Sequence, residues 1–286
     1  MTVSRLSFNS VAALVRPLLS LAVACSAVAG YVLFSRRTEW RALAAFAGVF
    51  LLACAASAVN QVQESAYDVR MGRTKSRPLP MRKITSAAAL RVAFSCGLAG
   101  AGLLFCTTAL AGLLGLATLA WYNGVYTPLK PKTRFAVLLG ALVGALPPVI
   151  GYTAAGGTIV TECTLISLFM FSWQVAHFQL LMVKYGKEYE AAGFVPLIRS
   201  EKDRLTRISV LVWVAAASAC ALAFPLFNGE TAMIWWVYCT CAAGGAYFLS
   251  AAILPQVNFR AASFSMYLFQ ASILGTVIVG SLASYG

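Results

Sequence analysis

Charge is scarce in this chain, and negative charge is scarcest. Only 11% of its 286 residues are charged and nine are Asp or Glu, against 60% hydrophobic residues and a mean hydropathy of +0.79. Soluble domains run at about 25% charged and about 45–50% apolar, so a water-soluble fold is excluded. There is one His, His177, too few for a bis-His haem or a His-built zinc site. The eight Cys lie inside apolar runs without a Cys-x-x-Cys, and Cys239-x-Cys241 has the wrong spacing for a thioredoxin-like or zinc motif. They read as small buried hydrophobes.

Long apolar runs are abundant instead. A spanning helix needs about 20 apolar residues, and nine segments qualify: 17–34, 41–60, 86–106, 109–126, 135–155, 161–183, 208–227, 231–254 and 262–285. The expected fold is an all-α membrane protein of nine transmembrane helices, one domain over 1–286. A cytoplasmic tail is expected at about 1–16 and polar catalytic loops at about 61–85, 127–134 and 184–207. The first run, preceded by Arg5 and Arg16, imitates a secretory signal. Eight further runs follow it, which favours an uncleaved helix.

The basic residues set the orientation. Of 22 Lys and Arg, eighteen fall at the N-terminus and in the loops after runs two, four, six and eight. Arg36, Arg37 and Arg41 lie on the other side, and Arg91 sits inside the third run. A net charge of +13 in a soluble protein would suggest nucleic acid. This alternation follows the positive-inside rule instead, placing the N-terminus and the even loops in the cytoplasm. The expected partner is therefore a lipid bilayer and no nucleic acid. Six of the nine acids share that side, and no acid or Lys occupies a mid-span position, unlike ion-coupled transporters. Chemistry is expected at the cytoplasmic mouth.

The first large polar segment carries Asn60, Glu64 and Asp68 at steps of four. On a helix these project within an arc of about 80° and stack over about 12 Å. Two carboxylates and an amide oxygen on one face suit Mg²⁺, which prefers carboxylates together with substrate phosphates. Arg70, Arg73, Lys75 and Arg77 follow, and Arg suits bidentate phosphate contacts. The same spacing equally suits a solvated helix extension in which Glu64 and Asp68 pair with Arg70 or Lys75. A second cationic lip, Lys130, Lys132 and Arg134, precedes Gly140-x-x-x-Gly144, a close-packing pattern. Pro147-Pro148 is expected to break the fifth helix, as tolerated where backbone lines a cavity.

Asn60-x-x-x-Glu64-x-x-x-Asp68-x-x-Met71-x-Arg73-Thr74-x-x-Arg77-Pro78-Leu79 resembles the first motif of the protohaem IX farnesyltransferase (haem O synthase) family, in the UbiA superfamily of membrane prenyltransferases. That family usually has Asp where Glu64 stands. Tyr126-Thr127-x-x-Lys130, continuing to Pro147-Pro148-x-x-Gly151, resembles its second block, and Trp173-Gln174-x-x-His177-Phe178 with Lys187-Glu188-Tyr189 its third. In the third, Ala176 replaces the usual Pro and Glu188 the usual Asp.

The resemblance implies a UbiA-type bundle in a bacterial inner membrane. It implies Mg²⁺-dependent transfer of a farnesyl group from farnesyl diphosphate to a vinyl group of haem B, giving haem O. The downstream haem A-forming enzyme is an implied partner. By resemblance Asn60, Glu64 and Asp68, with Glu188, would hold metal, and Arg73, Arg77, Lys130 and Lys132 the diphosphate. Tyr122, Tyr126, Trp173 and Phe178 are candidates to face an allylic cation. His177 reads either as a hydrogen-bonded interior residue or as a group contacting haem iron or orienting the vinyl edge. An aromatic quinone precursor is the alternative acceptor. A non-catalytic haem or lipid transporter is the alternative class, although its usual midplane polar residues and inverted repeats are not evident.

Overall fold

The computed structural model describes residues 7–159, 161–195, 204–228, 243–244 and 259–283, and every regular element among them is helical. A short α1 (Phe8–Val15) precedes α2 (Pro17–Ser35), α3 (Trp40–Asp68), α4 (Ser86–Phe105) and α5 (Ala109–Ala120). A π-helical stretch (Trp121–Tyr126) and the single turn α6 (Thr127–Leu129) continue α5. Then come α7 (Ala136–Ala154), α8 (Thr161–Ala192), α9 (Arg204–Asn228) and α10 (Phe259–Ala283).

Among the described residues, six helices are long and apolar enough to cross a membrane: α2, α3, α4, α7, α8 and the Phe264–Leu282 part of α10. The apolar stretch of α9, Ile208–Ala223, is shorter, and α5 reaches spanning length only through its π-helical continuation. The eighth expected run, 231–254, lies outside the described residues apart from 243–244.

Helix limits follow local chemistry. Thr85 and Thr108 cap α4 and α5 by accepting from the N–H groups of Ala88 and Ala111. Only a Thr-Thr turn separates these helices, and Thr108 also donates to the Thr153 carbonyl at 3.0 Å, pinning the turn to α7. Three expectations are corrected. Half of the expected tail at 1–16 is the helix α1. Two of the expected loops begin as helix, because α3 runs on to Asp68 and α8 to Ala192. The 32 residues of α8 extend about 48 Å, well beyond a hydrocarbon layer of about 30 Å. Finally, Pro147-Pro148 does not break α7. Each Pro removes a ladder bond at a cost of about 3 kcal/mol, which packing against α2, α5 and α8 offsets.

Helices α2, α3, α7 and α8 form the centre, with α4 and α5 against one side and α9 and α10 against the other. Two apolar clusters result. One joins α2, α7, α8, α9 and α10 around Phe169, Trp173 and Phe269; the other joins α2 to α5 and α7 around Tyr31, Leu52 and Leu104. Both meet at the crossing of α2 and α7, where a Cβ on Gly30 would strike the Pro148 carbonyl and one on Gly151 the Ala27 carbonyl. Only backbones without side chains approach that closely. Phe94, Leu98, Leu43 and Val279 point outward from the bundle, as suits helices that face lipid.

Candidate active site

The helical periodicity of Asn60, Glu64 and Asp68 survives because α3 outruns its apolar part. From Trp40 to Asn60 it already spans about 31 Å, so the next two turns stand at the membrane boundary. All three side chains are buried, at 2%, 7% and 2% exposure. They face protein rather than water, which decides against the solvated extension.

Each finds a partner from another segment. Arg77 places one terminal nitrogen 2.8 and 2.7 Å from the two oxygens of Asp68. The turn after α3 brings it back: Thr74 donates to the Asp68 carbonyl at 3.1 Å, and the Arg77 N–H donates to the Thr74 carbonyl at 2.9 Å. Lys130 Nζ lies 2.7 Å from Glu64 Oε1 and 4.5 Å from the centre of the Tyr126 ring. The amide nitrogen of Asn60 donates to Thr127 Oγ1 at 3.1 Å. Arg70 and Lys75, the expected partners of the carboxylates, are exposed and take no part.

The π-helical turn delivers Thr127 and Lys130. Pro128 brings no N–H and its ring would collide with a carbonyl one turn back in a regular helix; the widened turn gives it room. Asn123 fastens the stretch to α3 by donating to the Ala56 carbonyl at 3.2 Å and to Gln63 Oε1 at 3.3 Å, while Gln63 donates to the Asn123 carbonyl at 2.8 Å. Such π segments are frequent at functional sites. The aromatic rings of Tyr122, Tyr126 and Phe178 form a row beside Lys130, with centroids 5.3 and 6.3 Å apart.

Arg73 and Glu188 meet away from this row. The Arg73 N–H donates to Glu188 Oε2 at 3.4 Å, its guanidinium donates to Tyr189 Oη at 3.1 Å, and it lies over the Tyr185 ring at 5.3 Å. Beneath them Met71, Ala192 and Phe194 pack together, docking the turn on α8. Glu188 therefore holds the turn. It is not gathered with Glu64 and Asp68, and among the described residues no three His, Cys, Asp or Glu side chains group to hold a metal. Lys132 is exposed and its side chain bonds to no described residue.

His177 sits deeper, 6% exposed, with Nε2 3.2 Å from Tyr267 Oη. Its ring stacks on Trp173 at 5.0 Å and 6°, and Trp173 Nε1 donates to the Met266 carbonyl at 2.7 Å. Nδ1 is buried without a partner among the described residues. The Tyr267 contact and the stacked ring fit a hydrogen-bonded interior residue.

Burial opposes the charge on Lys130, but Tyr126 and Glu64 more than offset it and hold its pKa well above the usual lysine value. Burial, then the charges of Arg77 and Arg73, bring the guanidinium of Arg16 below its usual value. Thr127 belongs to the Tyr126-Thr127-x-x-Lys130 block without a role drawn from it, and Arg16 and Tyr267 belong to no motif. Arg16-Pro17 ahead of the first apolar run, and a Tyr within the last, were the available signals. The donor set fits a hard divalent cation: two carboxylates and an amide whose nitrogen is engaged by Thr127, leaving its oxygen without a bond from a described residue.

Residues 18–273 match the UbiA prenyltransferase family. A protoheme IX farnesyltransferase of Geobacter sulfurreducens is 41% identical over 219 residues, covering 75% of this chain and 80% of that one. A second, from Oleidesulfovibrio alaskensis, is 37% identical over 251 residues, covering 85% and 88%. In structure the chain is similar to a UbiA homologue from Aeropyrum pernix K1, with a TM-score of 0.75, 18% identity and coverage of 96% and 100%. It is also similar to a UbiA homologue from Archaeoglobus fulgidus bound to GPP and Mg²⁺, with a TM-score of 0.66, 14% identity and coverage of 94% and 99%. The chain belongs to the UbiA prenyltransferase family, with curated relatives named protoheme IX farnesyltransferase.

Proposed function

We propose that this protein transfers a farnesyl group from farnesyl diphosphate to a vinyl group of haem B, giving haem O, at the cytoplasmic face of a bacterial inner membrane. The observation that carries the site is the pair of buried ion contacts, Asp68 with Arg77 and Glu64 with Lys130, at one end of α3. The names of the relatives support the acceptor.

Asn60, Glu64 and Asp68 would hold Mg²⁺, which when bound neutralises charge on the departing diphosphate. Before substrate arrives, the carboxylates hold Arg77 and Lys130 in place. Arg77 and Lys130, positioned at the mouth by these contacts, would bind diphosphate oxygens, with Arg73 and Lys132 at the outer edge. Donors already fixed where charge develops lower the barrier without reorganisation. The allylic C–O bond breaks with its electron pair going to the diphosphate. The faces of Tyr126, Tyr122 and Phe178 stabilise the allylic cation. The vinyl group of haem B attacks that cation, water adds to the resulting carbocation, and a proton is lost to water.

Incubating membranes containing the protein with farnesyl diphosphate and either haem B or 4-hydroxybenzoate tests the acceptor. Haem O is the expected product. Prenylation of the aromatic acid alone would overturn the haem assignment.

A further inference from the structure

We propose that Arg16 is a further substrate-binding residue, whose guanidinium takes an anionic oxygen group of a bound substrate beside Arg77. The proposal deepens the transferase reading and rests on it for the two candidate groups: the donor's diphosphate and the propionate carboxylates of haem B.

Arg16 occupies the elbow between α1 and α2 with φ 52° and ψ 63°, a left-handed conformation that few residues other than Gly adopt. Its N–H closes α1 on the Ala12 carbonyl, and Pro17 opens α2 at once. A buried clamp holds this elbow to the motif helix. Gln61, with no exposed surface, donates to the carbonyls of Ala13 and Leu14 at 3.0 and 2.8 Å. Gln61 follows Asn60 and precedes Glu64 by less than one turn, so the clamp sets Arg16 against the site itself.

There the Arg16 charge acts on those of Arg77, Arg73 and Glu64 and on Tyr122, with Tyr267 also in reach. Arg16 is thus within electrostatic reach of the diphosphate collar. The two acids of the cluster are committed, Asp68 to Arg77 and Glu64 to Lys130. Arg16 is half-buried, and its side chain makes no hydrogen bond or ion pair with a described residue. A cation partly removed from water, with no partner for its side chain, is unfavourable unless an anion joins it. Strained backbone, a dedicated clamp and an unanswered charge together mark a ligand contact.

The test compares purified full-length wild-type protein with Arg16→Gln, Arg16→Lys, Arg77→Ala and, as a remote control, Arg37→Gln. Two titrations are read: inorganic pyrophosphate with Mg²⁺ by calorimetry, and haem B or its dimethyl ester by absorbance. Loss of a charge-assisted contact predicts binding weakened about tenfold or more in Arg16→Gln, partly restored in Arg16→Lys and unchanged in Arg37→Gln. Weakened pyrophosphate binding assigns Arg16 to the donor. Weakened binding of haem B, with its diester bound equally by both proteins, assigns it to the acceptor's carboxylates. If Arg16→Gln matches wild type in both titrations while Arg77→Ala loses pyrophosphate, the Arg16 proposal is overturned and the transferase reading stands. If wild type binds no pyrophosphate, the reading beneath it fails as well.

Discussion

Lys130 reaches Glu64 across 66 residues of sequence, and Asp68 and Arg77 meet within one turn of chain. Both pairs predict unequal costs for their members. Asp68→Ala would leave Arg77, whose side chain is 15% exposed, beside no carboxylate. Product formation should vanish, with a stability loss of about 1.5–3 kcal/mol, read by thermal unfolding in detergent. Glu64→Asp shortens the arm but keeps the charge, and should retain turnover with weaker diphosphate affinity, whereas Glu64→Ala should lose turnover. Equal activity in all three would remove the ion-contact account. His177→Phe keeps a ring against Trp173 and forfeits the Tyr267 contact. It should cost about 0.5–1.5 kcal/mol and leave the absorption spectrum of bound haem B unchanged; a shifted spectrum would point to iron contact. The motif spacing made Asn60, Glu64 and Asp68 legible as a set, because helical geometry is local. Their partners were not legible: Arg70 and Lys75 were nearer in sequence, but only the tertiary turn chooses Arg77 and Lys130.

Among the elements, apolar length located most helices within a few residues. The π-helical stretch at Trp121–Tyr126 had no such signal, since its pattern is that of ordinary apolar helix until Pro128. The continuation of α3 and α8 into polar sequence was likewise hidden. Amphipathic turns lying on other helices are stabilised by those contacts and not by apolar content. Pro147-Pro148 misled for the same reason, because a helix enclosed by neighbours tolerates missing ladder bonds. The α2–α7 crossing gives the element-level prediction. Gly151→Val would press on the Ala27 carbonyl and force the helices apart, costing about 1–3 kcal/mol in detergent thermal unfolding, without altering pyrophosphate affinity at temperatures where the fold is intact.

For the molecule as a whole, two outcomes are expected. Chelating divalent ions should stop turnover, and Mg²⁺ should restore it; a passive haem carrier would be indifferent. In a background without reactive native thiols, Thr158→Cys, at the exposed α7–α8 connection, should react with an impermeant thiol reagent outside intact cells. Arg82→Cys, in the basic turn before α4, should react only after permeabilisation. The reverse pattern would invert the orientation. Sequence by itself determined the membrane class, the expected sidedness and the ligand-bearing face of α3, because hydropathy, loop charge and helical spacing act over neighbouring residues. Tertiary structure decided which cation answers which carboxylate, that Glu188 meets the turn after α3, and that His177 is enclosed by Trp173 and Tyr267. Those depend on how distant helices are clamped together, and burial makes each polar group's partner a property of the packed bundle.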